Sequence, residues 1–265
     1  WSLASAIEAE ARRRGIAVLG STNYWPDTYR VLDPVIFMHE APAVSSFLHS
    51  ALGVSSPDSA IVFLTSENGS KFLMRQAAVD ELTYRYQRAR WWIGSDRIAY
   101  SSTVLEGVGE YVGEISLLGV LMAPQPNDAV YQGFRQRYVE RFGKEPTAYA
   151  LYSYDAAALL MQVVCQLGTD DPYKVKSALE EWGRNGTYVG VTGRVYLDKN
   201  GDRTYPNYVI WSLVRDGNQS KYVNIAYYYA TNRTIAKLDE IWASKVVPED
   251  TSKKKWVQYS YVDDA

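Results

Sequence analysis

Gly190-Val191-Thr192-Gly193-Arg194-Val195-Tyr196-Leu197-Asp198-Lys199-Asn200-Gly201-Asp202-Arg203 decides how this chain folds, together with Ala150-Leu151-Tyr152-Ser153-Tyr154-Asp155-Ala156-Ala157-Ala158-Leu159-Leu160 upstream of it. In the later segment Val195 and Leu197 alternate with Arg194 and Tyr196, the pattern of a half-buried strand. Asp198-Lys199-Asn200-Gly201-Asp202 is turn chemistry, with Asn-Gly suited to positive φ. The run 208–213, Tyr-Val-Ile-Trp-Ser-Leu, reads as the returning strand of a hairpin. The earlier segment is an apolar helix that places Tyr154, Ala158 and Met161 on one stripe. A second helix spans 171–182.

Composition bounds what such a chain can do. Its 265 residues are 47% hydrophobic and 22% charged, enough for a sizeable core in one or two domains. The net charge of −2 gives no electrostatic footprint for nucleic acid. No apolar run approaches the ~20 residues of a membrane span, so membrane attachment is expected only through an anchor outside this chain. The one cysteine, Cys165, lies in an apolar helix and is expected to be a small buried core residue. His39 and His49 have neither cysteine partners nor ligand spacing, so no metal is expected. The 22 tyrosines and 8 tryptophans suit amphipathic ligand surfaces as well as ordinary packing, and packing is the reading adopted.

Outward from the deciding stretch, helices alternate with short apolar strands. Residues 2–14 form a helix with Leu3, Ile7 and Ala11 on its apolar side, ended by Gly15 after three arginines suited to the helix dipole. Residues 16–20 read as a short buried strand. Helices are expected at 41–52 and 69–82, strands at 60–64, 91–94 and 115–122, and an amphipathic helix at 127–142 with Val130, Phe134 and Tyr138 on one face. Such alternation predicts a parallel sheet with crossover helices. Ligands bind beyond the carboxyl ends of strands in such sheets, which selects the loops 21–25, 65–69 and 94–99.

A Tyr-Asp-Ala helix, a second helix, and then Gly-Val-Thr-Gly-Arg-Val-x-x-Asp-x-x-Gly-Asp-Arg resemble the C-terminal part of type I periplasmic binding proteins. The closest group is the branched-chain amino-acid (Leu/Ile/Val) receptors of ABC importers. Ile241-Trp242 and Val247-Pro248-Glu249-Asp250 are similar to that family's terminal signature, and 115–122 with Ala123-Pro124-Gln125-Pro126 to its hinge strand. The resemblance implies an α/β fold of two Rossmann-like lobes with parallel sheets joined by a hinge. It implies that the first lobe is incomplete here, the family's N-terminal part being a missing segment. The expected organisation is 1–118 in the C-terminal-type lobe, 119–186 in the other lobe, and 187–265 returning to the first and ending in a polar tail.

The candidates for chemistry follow from those loops. Asp96, in Gly94-Ser95-Asp96, lies past a strand end, where the resembled receptors carry an acid that pairs with a ligand ammonium. A carboxylate there makes a charge-assisted hydrogen bond. The same residue also fits a helix N-cap, and both roles can hold. Ser66, Glu67 and Asn68 form the next loop, read either as cleft lining or as a cap for the following helix. Trp1, Tyr24, Trp25, Tyr149 and Tyr152 are aromatics able to stack on a ligand, each with packing as its plainer role. Gly107-Val108-Gly109 with Gly113 departs from the dinucleotide-loop spacing. No Ser-His-Asp or paired-acid constellation is legible, so neither an enzyme nor a cofactor is expected. Asn68, Asn185, Asn218 and Asn232 head Asn-x-Ser/Thr sequons, four of nine asparagines, which fits an exported, glycosylated protein.

The resemblance thus implies an extracytoplasmic solute-binding protein, periplasmic or at the cell surface. It would capture a small polar ligand, such as an amino acid or amide, for an ABC permease. The alternative is a non-transport surface protein, a sensor or filament component, on the same fold.

Overall fold

The computed structural model describes residues 2–19, 46, 60–63, 91–106, 117–124 and 126–238. Apart from residue 46, the expected helices at 41–52 and 69–82 and the segment 239–265 lie outside these residues. The chain divides into two compact units: 1–120, 210–225 and 239–249 in the first, and 121–209, 226–238 and 250–265 in the second. The polypeptide therefore passes between units inside three of its strands.

The first unit opens with helix α1 (Ser2–Arg13), on which Glu10 bonds Arg13 and Arg14. The strand expected at 16–20 is not found. Residues 16–19 are irregular, with Ile16 and Leu19 exposed, because no neighbouring strand pairs with them among the described residues. Strands β1 (Ala60–Phe63), β2 (Trp91–Gly94) and β3 (Leu117–Met122) pair in parallel, Ala60 opposite Trp91 and Trp92 opposite Leu117. The long β8 (Tyr208–Asp216) and β9 (Gln219–Tyr229) extend this sheet in the order β1-β2-β3-β8-β9. They are joined as a hairpin by Gly217-Asn218, with Gly217 at φ 63°. The sheet is mixed rather than parallel throughout.

Its core centres on Trp211 of β8, whose side chain is 0% exposed. Space for the indole exists because β2 and β3 present glycines to it. A Cβ at Gly119 would lie 2.4 Å from Trp211 Cζ2 and 2.7 Å from the Gly94 carbonyl oxygen. Ser212 Oγ donates to the Leu117 carbonyl at 2.9 Å. Val214 and Ile225 pack with Leu118, Ile210 and Val223.

The second unit contains α2 (Ala129–Phe142), α3 (Ala148–Leu167) and α4 (Pro172–Asn185). The sequence starts each of them with a capping side chain. Asp128 accepts from Tyr131 N, Thr147 from Ala150 N, and Asp171 from Tyr173 N and Lys174 N, with Pro172 next in line. Two short hairpins follow, β4 (Val189–Gly190) with β5 (Gly193–Arg194) and β6 (Tyr196–Leu197) with β7 (Arg203–Thr204). The turn at 198–202 forms as expected, Asp198 Oδ1 accepting from Asn200 N and Asp202 N. Its returning strand is β7, however, not 208–213. Tyr205 at φ 56°, followed by Pro206 with no amide hydrogen, ends the hairpin, and 208–213 leaves as β8. β10 (Thr234–Lys237) pairs antiparallel with the far end of β9.

On α3 the expected stripe of Tyr154, Ala158 and Met161 is only partly inward: Ala158 packs against the core, while Tyr154 and Met161 are exposed. The residues buried on this helix are Leu151, Asp155, Leu159 and Val163. Leu159 and Val163 join Val175, Tyr188 and Val195, while Leu151 joins Phe134 and Val191. Asp155 sets this rotation. Its carboxylate is bonded to the hairpin loop, and the residues in register with it turn inward. Met161 is then 61% exposed. Cys165 is exposed rather than buried for the same reason. On α2, Phe134 is buried but Val130 is exposed, so that face is narrower than its periodicity implies. Apart from Asp155, α3 carries no charged residue in 20, yet one side of it is uncovered.

Candidate functional site

β2 ends at Gly94 and the chain turns at once. Ser95 occupies the cap position of a 3-10 turn, Asp96–Ile98, but its side chain makes no capping bond. Asp96 is the first residue inside the turn, not its cap, and is exposed. Ile98 is fully buried, and its Cδ1 would stand 2.5 Å from any Cβ at Gly94. A glycine at the strand end is therefore what lets the loop fold back on the sheet. Ser101 closes the loop by capping the helical turn at 102–106, its Oγ accepting from Val104 N at 3.2 Å.

β9 fastens this loop. Tyr222 and Asn224 lie on one face of the strand, two residues apart. The Tyr222 hydroxyl stands 2.9 Å from the Ile98 carbonyl oxygen and 3.3 Å from that of Ser101. Tyr100, in the left-handed region at φ 56°, donates its hydroxyl to Asn224 Oδ1. Desolvation pushes the Tyr100 phenol up to about 12, against the lowering effect of Asn224. The Tyr100 and Tyr222 rings are 5.4 Å apart, and Trp211 meets Tyr222 edge-on at 5.5 Å. The resulting loop holds an exposed carboxylate at the carboxyl end of a parallel strand.

Of the other candidates, Tyr149 lies in the first turn of α3 and is exposed. Tyr152 lies under the Arg203 guanidinium, 5.1 Å from ring centre to Cζ, and burial pushes its phenol up to about 12. Asn185, Asn218 and Asn232 are exposed, at the end of α4, in the β8–β9 turn and before β10. Trp1, Tyr24, Trp25, Ser66, Glu67 and Asn68 lie outside the described residues. No group of three or more His, Cys, Asp or Glu able to hold a metal occurs among the described residues. No described helix is long and apolar enough to cross a membrane.

A second constellation, in the other unit, is structural. Asp155 is 3% exposed and accepts from Val191 N and Thr192 N, each at 2.8 Å, from the Thr192 hydroxyl, and from Tyr188 OH at 3.2 Å. Burial, reinforced by the neighbouring carboxylate, raises the Tyr188 pKa. Arg203 donates to Thr192 Oγ1, and to the carbonyls of Thr192 at 3.0 Å and Arg194 at 3.3 Å. The Tyr-Asp helix and the Gly-Val-Thr-Gly loop are thus one bonded object.

Residues 2–216 match the model of the receptor family ligand binding region. The chain belongs to this family. It is similar to Leu/Ile/Val-binding protein homolog 1 of Brucella abortus (strain 2308), 35% identical over 101 residues, 36% of this chain and 25% of the relative. It is also similar to a receptor-type guanylate cyclase of Caenorhabditis elegans, 33% identical over 101 residues, 37% of this chain and 8% of that one. The crystal structure of an ABC transporter substrate-binding protein from Desulfitobacterium hafniense in complex with Leu superposes with a TM-score of 0.54 at 20% identity. That match covers 83% of this chain and 56% of the other. The type I periplasmic-binding-protein resemblance, of the branched-chain amino-acid kind, therefore holds for the fold. The chain spans about a quarter of the Brucella relative and about half of the solved structure.

Tyr222, Tyr100 and Asn224 were not among the residues singled out from sequence. The signal for them is the Tyr-x-Asn alternation on β9, which only acquires meaning once β9 is known to lie beside the loop.

Proposed function

We propose that this chain is the larger part of an extracytoplasmic solute-binding protein that captures a small amino acid or amide and passes it to an ABC permease. The observation that carries the reading is the Asp96 loop, an exposed carboxylate on a braced strand end in a member of a ligand-binding family. Asp96 takes the ligand's ammonium, with Trp1, Tyr24, Ser66, Glu67, Asn68 and Tyr149 as further contacts. A missing N-terminal segment of the same protein covers the uncharged side of α3. That role is supported by the 56% coverage of the solved relative and by the exposure of Leu160 and Met161 on α3. The exposed sequons at Asn185, Asn218 and Asn232 fit passage through a glycosylating export route, with Asn68 as a fourth acceptor.

The guanylate cyclase relative favours a second reading, a sensor ectodomain on the same fold. Both readings require ligand binding, and a neighbouring permease and ATPase in the genome separates them. A ligand raises the melting temperature by mass action, so a thermal-shift panel of amino acids, amides and sugars tests the first claim. In the full-length protein Asp96→Asn should weaken an amine-bearing ligand by about 2–5 kcal/mol, the cost of leaving a buried cation unpaired. Calorimetry showing affinity within about twofold of the parent, under ~0.4 kcal/mol, removes the ammonium role.

A further inference from the structure

We infer that Tyr222 is a positioning residue for ligand recognition: its hydroxyl holds the Asp96 turn at the angle from which the carboxylate meets an ammonium. The inference rests on the reading of Asp96 above.

The turn's own backbone bonds are long, Ile98 N to Ser95 O at 3.3 Å and Ala99 N to Asp96 O at 3.2 Å. Tyr100 adds backbone strain, being a bulky residue at positive φ. The 2.9 Å contact from Tyr222 to the Ile98 carbonyl is closer than either of the turn's own bonds. A tyrosine hydroxyl has one proton, so it donates mainly to Ile98 and shares with Ser101 at 3.3 Å. These two carbonyls bracket the segment that follows Asp96, so one hydroxyl sets both the end of the turn and the start of the next helix.

The hydroxyl is itself fixed. Tyr222 packs against Tyr100 at 5.4 Å and against Trp211 at 5.5 Å, and Trp211 is fully buried against Gly94 and Gly119. Phenylalanine at position 222 keeps that ring packing and removes only the oxygen. The loop then retains its place on the sheet but loses its set angle.

A purely architectural tyrosine would affect all ligands alike, whereas a positioning one affects only those that use Asp96. The test compares leucine with 4-methylpentanoate, its analogue without the amine, by calorimetry on the full-length parent, Tyr222→Phe and Asp96→Asn. Amide hydrogen exchange is followed on the ligand-free proteins. Tyr222→Phe is expected to bind leucine about tenfold more weakly, with 4-methylpentanoate changed less than twofold. The Ile98 and Ala99 amides should exchange about tenfold faster while Val214 keeps its parent rate, because local opening is confined to the loop. Equal losses for both ligands, or parent exchange rates at Ile98 and Ala99, overturn the inference. If Asp96→Asn loses leucine and Tyr222→Phe does not, positioning fails and the role of Asp96 stands. If Asp96→Asn binds leucine as the parent does, the underlying reading fails and takes this inference with it.

Discussion

Replacing Asp155 by asparagine changes one oxygen to an NH2 group and almost no volume, yet it strikes the bond network that ties α3 to the Gly-Val-Thr-Gly loop. In the parent, one carboxylate oxygen serves Val191 N at 2.8 Å and Tyr188 OH, and the other serves Thr192 N at 2.8 Å and the Thr192 hydroxyl. An amide can replace only one of these oxygens. Whichever way it turns, its NH2 faces a buried backbone N–H that then has no acceptor. An orphaned buried donor costs about 1–3 kcal/mol, and loss of charge assistance on the remaining bonds adds to it, giving about 2–4 kcal/mol. Every 1.4 kcal/mol is a factor of ten, so the Val191 and Thr192 amides should exchange roughly 30- to 700-fold faster under native conditions. Tyr188→Phe, which removes one 3.2 Å bond and no backbone acceptor, should cost only about 1 kcal/mol. Protection of both amides within about threefold of the parent in Asp155→Asn, under ~0.7 kcal/mol, would refute the network as the source of the loop's stability.

Two further outcomes follow from the first unit. Gly119→Ala places a methyl 2.4 Å from the Trp211 ring and 2.7 Å from a backbone oxygen that cannot give way, so it should destabilise the protein by at least the ~1–3 kcal/mol typical of overpacking, read as a lower urea midpoint. Hydrogen bonds from Arg13 and then Arg14 hold the Glu10 carboxyl down to about 2, from its ordinary 4.5. Because the folded pKa is depressed, the favourable contribution is present above 4.5 and drains away as pH falls towards about 2. A carboxyl-carbon NMR titration of Glu10 with a midpoint near 4.5 would show that the pairing does not persist in solution.

The fold was legible where a single element carried its own signal. The helices at 127–142 and 171–182, the Asn-Gly turn, and the short apolar strands at 60–64, 91–94 and 115–122 are local signals and each gave the right element, whereas the equally apolar 16–19 formed no strand. The misread features were those that depend on what lies across the molecule. An apolar helix such as α3 has no polar face to show which side turns inward, so its stripe was placed on Tyr154 and Met161. The answer lay in Asp155, a charged residue that is buried because four donors await it more than thirty residues later in the chain. Cys165 followed the same error. The return of the hairpin was assigned to 208–213 because that run is the strongest strand signal nearby. Tyr205-Pro206 is the weaker but decisive break. For the candidate site, strand-end logic reached Asp96 directly, whereas Tyr222 and Asn224 lie more than a hundred residues away in sequence and meet the loop only through β9.

The uncharged side of α3 also has a chemical consequence. Met161 presents its thioether to solvent there, four residues before the exposed Cys165. Both sulfurs stand within reach of aqueous oxidants, and conversion of Met161 to its sulfoxide would put a polar, chiral group on a surface with nothing to solvate against except water. Packed beneath another layer, the same sulfur is shielded and its oxidation slows with the opening of that layer. The rate at which peroxide consumes Met161 is therefore a clock for how much of the time this helix is covered, readable by mass without any label.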